Sequence, residues 1–81
     1  MPDDTEEALA TVGPRLRALR REQGTSLADV SAATGISVST LSRLESGQRR
    51  ATLELLLPLA RAYQVSLDQI VATPVADPRV R

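Results

Sequence analysis

Apolar residues recur at helical spacing along almost the whole chain, and no stretch alternates apolar and polar residues as a strand does. Glycine and hydroxyl residues interrupt this pattern where helices end and begin. The pattern therefore predicts an all-α fold of five short helices around a leucine-rich core. Because the chain has 81 residues, it can bury one core of this kind.

The first predicted helix carries Leu16 on its apolar face and ends near Gly24, a natural helix terminator. Pro14 is tolerated only in the first turn of a helix or at a kink. The helix therefore begins near Gly13, or an earlier segment from Thr5 runs into it with a bend.

The second predicted helix starts at Ser26, whose hydroxyl can cap the free backbone amides. Asp29 follows three residues later, as in a capping box. Gly35 then ends this helix. Its predicted inner face consists of Leu27, Val30, Ala33 and Thr34.

The third predicted helix runs from Val38 to about Ser46, with Ser37 as its N-cap and Gly47 as its terminator. Leu41 and Leu44 lie three residues apart, so we expect both to face the core.

Thr52 is the predicted N-cap of a fourth, leucine-rich helix. Pro58 lies within this helix and costs about 3 kcal/mol there, so we expect a kink or a start later than Thr52. Ser66 caps a fifth helix, with Gln69 three residues on. The apolar face of this last helix is Leu67, Ile70 and Val71.

Two short helices joined by a tight turn with a glycine define the helix-turn-helix geometry, and residues 26–46 fit it. Gly35 can adopt the left-handed turn, and Ser31 is small where the two helices approach. The outer face of the third helix then displays Ser37, Val38, Ser39, Thr40, Ser42 and Arg43. Such a face suits a DNA major groove, because arginine binds guanine, hydroxyls bind several base edges and valine packs on a thymine methyl.

The net charge is zero, but the charges are segregated. Residues 1–12 carry −4, residues 13–71 carry +3 and residues 72–81 carry +1. All ten cations are arginines, which suit bidentate contacts with phosphate and guanine. A high-GC codon bias explains the same preference equally well.

The composition excludes several kinds of site. Without cysteine or histidine the chain can form no disulfide or thiolate metal site, and it lacks the commonest general base. It also contains no lysine, so a catalytic nucleophile has no base beside it, and we expect no enzyme activity, metal or cofactor. No apolar run reaches about 18 residues and the N-terminus lacks an apolar signal segment, which favours a cytoplasmic protein.

The stretch from Leu16 to Val71 resembles the Cro and phage-repressor (Xre-like) helix-turn-helix regulators. The matching residues are Leu19, Arg20, Gly24, Ser26, Ser31, Gly35 to Ser37, Leu41 to Gly47, and Val65 to Asp68. The resemblance implies a lambda-repressor-like DNA-binding domain, with the third helix in the major groove.

The resemblance also implies a role for individual residues. The residues at base-reading positions are Val38, Ser39, Ser42 and Arg43. The residues placed near the DNA backbone are Ser26, Ser37, Thr40, Arg49 and Arg50. Arg20 and Glu45 match a structural ion pair between the first and third helices.

The sequence departs from the family pattern at three positions. Leu27 stands where many phage repressors have a glutamine that contacts phosphate, and a leucine side chain cannot make that contact. Thr25 replaces a usual aliphatic residue. Gln64 stands where a helix-ending glycine is common, so we expect a left-handed backbone conformation there.

The sequence thus predicts an acidic N-terminal segment at 1–12, the DNA-binding domain at 13–72, and a linker or flexible tail at 73–81. We expect a transcriptional regulator that binds an inverted repeat of double-stranded DNA as a homodimer, with its third helices about 34 Å apart. In relatives such a linker often leads to a C-terminal effector domain. The alternative is an antitoxin or adaptor whose main partner is a protein.

Overall fold

The computed structural model describes residues 11–71, and these residues form five α-helices and no strand. The helices are α1 (Val12–Glu22), α2 (Leu27–Thr34), α3 (Val38–Ser46), α4 (Leu53–Tyr63) and α5 (Leu67–Ile70). The predicted all-α fold is therefore confirmed for this part of the chain. The acidic residues before Thr11, the predicted linker at 73–81 and the alternative helix start at Thr5 lie outside the described residues.

Helix α1 begins at Val12, one residue before the predicted start. Pro14 is its third residue, so the missing amide hydrogen falls in the first turn, where no intrahelical acceptor is available. The helix ends at Glu22, and Gly24 adopts a left-handed conformation with φ +66°.

Helix α2 has the predicted capping box. The Asp29 amide donates to Ser26 Oγ at 3.0 Å, and the Ser26 amide donates to Asp29 Oδ2 at 3.4 Å. The predicted inner face is wrong at Ala33, which is exposed. Ala33 lies about 100° round the helix from Thr34 and about 120° from Leu27, at the edge of the stripe that packs inward.

Thr52 is the N-cap of α4 and the helix begins directly after it at Leu53, so the alternative of a start further along the chain is wrong. Pro58 lies inside the helix and cannot donate a hydrogen bond to the Glu54 carbonyl. Thr52 occupies the N-cap position without a side-chain capping hydrogen bond. The predicted left-handed conformation of Gln64 is confirmed, with φ 57° at the C-cap.

The core lies between the helices, and α3 is held from two sides. Helix α1 packs against α3 and α5, helix α2 packs against α3 and α4, and α4 also packs against α5. The largest fully buried side chains are Val12, Leu16, Leu44, Leu59 and Ile70. Because both α1 and α2 contact α3, the orientation of α3 is fixed by the core.

Helix α1 crosses the end of α3 at very short range. A Cβ atom at Gly13 would lie 2.6 Å from the Leu44 carbonyl oxygen and 2.7 Å from the Glu45 carbonyl oxygen. Both neighbours are backbone atoms, which cannot rotate away as a side chain can. The crossing therefore requires glycine at this position.

Two side-chain hydrogen bonds join α1 to the C-terminal helices. Gln23 Nε2 donates to the Tyr63 carbonyl at 2.8 Å, at the end of α4. Arg15 Nη1 donates to the Gln69 carbonyl in α5 at 3.3 Å. Within residues 11–71 we find no helix with the length and apolar character that a membrane crossing requires.

Candidate nucleic-acid interface

The turn between α2 and α3 is fixed by one glycine and one hydroxyl group. Gly35 has φ +80°, a conformation that side chains with a Cβ rarely adopt. The Thr34 hydroxyl donates to the Val30 carbonyl at 2.8 Å and accepts from the Ile36 amide at 3.1 Å. These contacts hold α2 and α3 as one helix-turn-helix unit.

The first turn of α3 is capped by a pair of hydroxyl groups. Ser37 Oγ accepts from the Thr40 amide at 3.2 Å and donates to Thr40 Oγ1 at 2.9 Å. The hydroxyl hydrogen of Thr40 is not used in this pair. Ser37 is exposed and Thr40 is half-buried, so the capped end of α3 lies at the surface.

The outer face of α3 carries the four predicted base-reading residues together. Val38 is 43% exposed, and the other three are also exposed, namely Ser39, Ser42 and Arg43. Leu41 and Leu44 are buried on the opposite side. The face therefore offers one apolar group, two hydroxyls and one guanidinium to a molecule that approaches α3.

A basic loop folds back over the end of α3. The amides of Gln48 and Arg49 both donate to the Arg43 carbonyl, at 2.8 Å and 3.2 Å. Gly47 allows this reversal through a left-handed conformation with φ +84°. The side chains of Arg49 and Arg50 are exposed in this loop.

The inner side of α3 ends in a partly buried ion pair. Arg20 Nε donates to Glu45 Oε2 at 2.8 Å and Arg20 Nη2 donates to Glu45 Oε1 at 3.0 Å, a bidentate contact. Arg20 Nη1 also donates to the Thr25 carbonyl at 3.2 Å. The Glu45 side chain is only 6% exposed, and its hydrogen bond raises the pKa of Arg20 above the ordinary value. The structure thus brings together the two residues that sequence analysis paired.

Two neighbours of this pair were not predicted from the sequence. Arg17 Nε lies 3.7 Å from Glu45 Oε1, and its side chain is 53% exposed. Its position three residues before Arg20 put both arginines on one helix face, a signal available in the sequence. Tyr63 is buried nearby, and burial is the main cause that raises its pKa, followed by the negative charge of Glu45.

The sequence predicts no metal-binding residues. Among residues 11–71 no three side chains of metal-ligating type lie close enough to form such a site. The polar side chains exposed on α3 include hydroxyls and a guanidinium, which can bind phosphate oxygens and base edges.

Comparison with known proteins matches residues 16–70 to the helix-turn-helix family. The chain belongs to this family, in its Cro and phage-repressor branch. The domain is 42% identical over 57 residues to the HTH-type transcriptional regulator DdrOP3 of Deinococcus deserti. That match covers 70% of this chain and 44% of the relative, so the chain spans less than half of the relative's length.

Solved helix-turn-helix structures have the same arrangement of helices. The restriction-modification controller protein C.AhdI from Aeromonas hydrophila superposes with a TM-score of 0.72 at 32% identity, over 76% of this chain and 94% of that one. The P22 c2 repressor, solved in complex with a synthetic operator, superposes with a TM-score of 0.70 at 30% identity. That superposition covers 75% of this chain and 92% of the repressor. The lambda-repressor-like fold expected from the sequence is confirmed.

Proposed function

We propose that this chain is the DNA-binding domain of a transcriptional regulator, and that α3 binds a specific double-stranded sequence in the major groove. The observation that carries this proposal is the exposed face of α3, where small polar side chains surround one arginine. The P22 c2 repressor, which has the same fold, is described in complex with an operator, which supports DNA as the ligand. No catalytic role forms part of the proposal.

Direct base recognition is assigned to four side chains on α3. Arg43 donates to guanine O6 and N7, since a guanidinium matches that acceptor pair in the major groove. Val38 packs against a thymine methyl group, because it is exposed and apolar at the first position of the helix. Ser39 and Ser42 bond the base edges between these two contacts.

Contacts with the DNA backbone are assigned to the groups around α3. Arg49 and Arg50 bind phosphates from the basic loop, which folds back over the end of the helix. The hydroxyl hydrogen of Thr40, unused in its pair with Ser37, is suited to a phosphate oxygen. Ser37 and Ser26 complete the set at the exposed N-termini of α3 and α2.

The whole regulator is proposed to be a cytoplasmic homodimer on an inverted repeat, with one α3 in each of two successive major grooves. The four base-reading residues cover only a short half-site, so a second copy supplies the remaining affinity. DdrOP3 is more than twice as long as the matched segment, which is consistent with the proposal that the whole regulator has a further, C-terminal effector domain.

Selection of bound sites from random double-stranded DNA tests this function. We expect an enriched inverted repeat whose half-site contains guanine and thymine. The selected site is then titrated with salt, where Arg49→Ala should lower the slope of log affinity against log salt by about one. Glu22→Ala, also at an exposed charge, serves as the control and should leave the slope unchanged. Failure to bind any DNA at low salt would contradict the proposal and favour a protein partner.

A further inference from the structure

Helix α4 and its C-cap carry an exposed stripe beside the core face of the helix. The stripe consists of Leu53, Glu54, Leu57, Arg61 and Gln64. Leu53 is 58% exposed and Leu57 is 43% exposed, and together with Val38 they are the exposed large hydrophobic residues of the described chain. Val38 faces the proposed DNA site, whereas the two leucines serve neither the core nor that site.

The charges on the α4 stripe have opposite signs at its two ends. Glu54 lies three residues before Leu57 and Arg61 lies four residues after it. Seven residues span about 10.5 Å along a helix, whereas charges that pair on one helix are three or four residues apart. Among residues 11–71 neither of them takes part in a salt bridge.

This order of charges is complementary to itself in the antiparallel direction. When two copies of α4 lie antiparallel across a twofold axis at Leu57, Glu54 of each copy faces Arg61 of the other. The facing side chains lie at nearly the same height, because their distances from Leu57 differ by only one residue. The two Leu57 side chains meet at the axis, and Leu53 flanks them.

We propose that the α4 stripe binds a second copy of this chain through such an antiparallel contact. The inference deepens the proposed function, which requires a homodimer. Helix α4 begins three residues after Arg50. A contact along this helix therefore joins the two copies next to the loops that are proposed to bind phosphate.

Charge reversal tests this contact by sedimentation equilibrium of the 81-residue chain without DNA. Because the contact is symmetric, Glu54→Arg turns both pairs between the copies into pairs of arginines, and Arg61→Glu turns both into pairs of glutamates. Each variant alone should therefore raise the dimer Kd about tenfold. An equimolar mixture of the two variants should form a heterodimer in which both charge pairs attract. The double variant should likewise return to the wild-type Kd.

Glu22→Arg is the matched control, because it makes the same charge change at an exposed position of α1. It should leave the dimer Kd unchanged. Recovery in the mixture cannot result from misfolding, since neither variant chain is altered by mixing. A wild-type chain that stays monomeric up to millimolar concentration would overturn the proposal, and so would a mixture without recovery.

Binding to a single DNA half-site separates this inference from the proposed function. The α4 variants should bind one half-site as the wild type does, since their substitutions lie outside the α3 face. A wild-type chain that binds the half-site but forms no dimer would exclude the α4 contact and leave the DNA-binding function supported. A wild-type dimer that binds no DNA would instead leave the α4 contact standing alone.

Discussion

The two sides of helix α3 differ in how strongly the fold constrains them. On the inner side, a glycine contact with backbone, buried leucines and a bidentate ion pair fix α3 against α1. On the outer side, the side chains of Val38, Ser39, Ser42 and Arg43 are exposed. Substitutions on the inner side should therefore change stability, whereas substitutions on the outer side should change DNA preference at constant stability.

The largest expected effect is a loss of stability on substitution of Gly13, where α1 and the inner side of α3 are closest. Gly13→Ala inserts a Cβ at 2.6 Å from the Leu44 carbonyl oxygen, so we expect a loss of about 3 kcal/mol in the free energy of unfolding. Urea denaturation followed by circular dichroism measures this loss. In an unobstructed helix the same substitution stabilises by about 0.5–1 kcal/mol. The sign of the change in unfolding free energy therefore shows whether the contact with α3 outweighs the helix preference of alanine.

Gly24→Ala provides the control for that experiment. Gly24 has φ +66° with no heavy atom within 4 Å of a Cβ, so only backbone strain opposes the substitution. We expect a loss of about 1 kcal/mol. A Gly13→Ala variant as stable as the wild type would show that α1 can move away from α3.

The ion pair on the inner side should show the next largest effect. Glu45→Gln keeps the side-chain volume but removes the charge that Arg20 binds, and we expect a loss of about 2 kcal/mol. A double-mutant cycle with Arg20→Gln should give a coupling energy of similar size. Arg17→Gln is the control and should cost under about 0.5 kcal/mol, because Arg17 is 53% exposed and 3.7 Å away. Equal costs for the two arginines would contradict this ranking.

The outer side should respond in DNA binding and not in stability. Arg43→Ala should weaken binding to the selected site about tenfold and relax the preference for one guanine, while the unfolding free energy stays unchanged. Fluorescence anisotropy with the selected site and with a site mutated at that guanine measures both quantities. An equal loss on the two sites would show that Arg43 contacts only the backbone.

A smaller effect is expected at Val38. Replacing thymine by uracil at the contacted position removes one methyl group, which should weaken binding about fourfold for the wild type. Val38→Ala should bind the two DNAs alike, because its short side chain does not reach the methyl group. A wild-type domain that binds both DNAs equally would exclude the methyl contact.

The smallest expected effect is a loss of stability when Tyr63 ionises. This loss is absent at neutral pH and appears only in alkali. Burial raises the pKa of Tyr63 above its ordinary value near 10, and the unfolded chain keeps that ordinary value. The resulting stabilisation is fully present below pH 10 and is lost as the pH rises through the folded-state pKa.

Tyr63 is the only tyrosine, so tyrosinate absorbance titrates this side chain alone. Urea denaturation over the same alkaline range should show the loss of stability in the wild type and a smaller loss in Tyr63→Phe. A titration midpoint at or below pH 10 would contradict the burial argument.

Local signals made much of this structure predictable. Ser26, Gly35, Ser37 and Gly47 mark helix ends through hydrogen bonds and backbone conformations that depend on nearby residues. The left-handed Gln64 was predictable from the family resemblance, because a helix-ending glycine is common at that position in the family. The outer face of α3 followed from the spacing of the buried leucines.

Features that depend on distant residues were not predictable. Position 13 requires glycine because the carbonyl groups of Leu44 and Glu45, more than thirty residues away in the chain, leave no space for a Cβ atom. Ala33 was placed inside because alanine fits either surface, so its hydropathy carries little information on orientation. The pair of Arg20 and Glu45 came from the family resemblance, since two charges 25 residues apart have no local signal.

The hydrogen bonds that join α1 to α4 and α5 have a consequence for folding cooperativity. Arg15 and Gln69 are 54 residues apart in the chain, and Gln23 and Tyr63 are 40 apart, whereas the contacts of the turn at Gly35 are local. Closing such long loops costs more chain entropy than closing a short turn. We therefore expect the helix-turn-helix unit to fold before the two ends of the described chain meet. We also expect removal of either end to lower the stability of the helix at the other end.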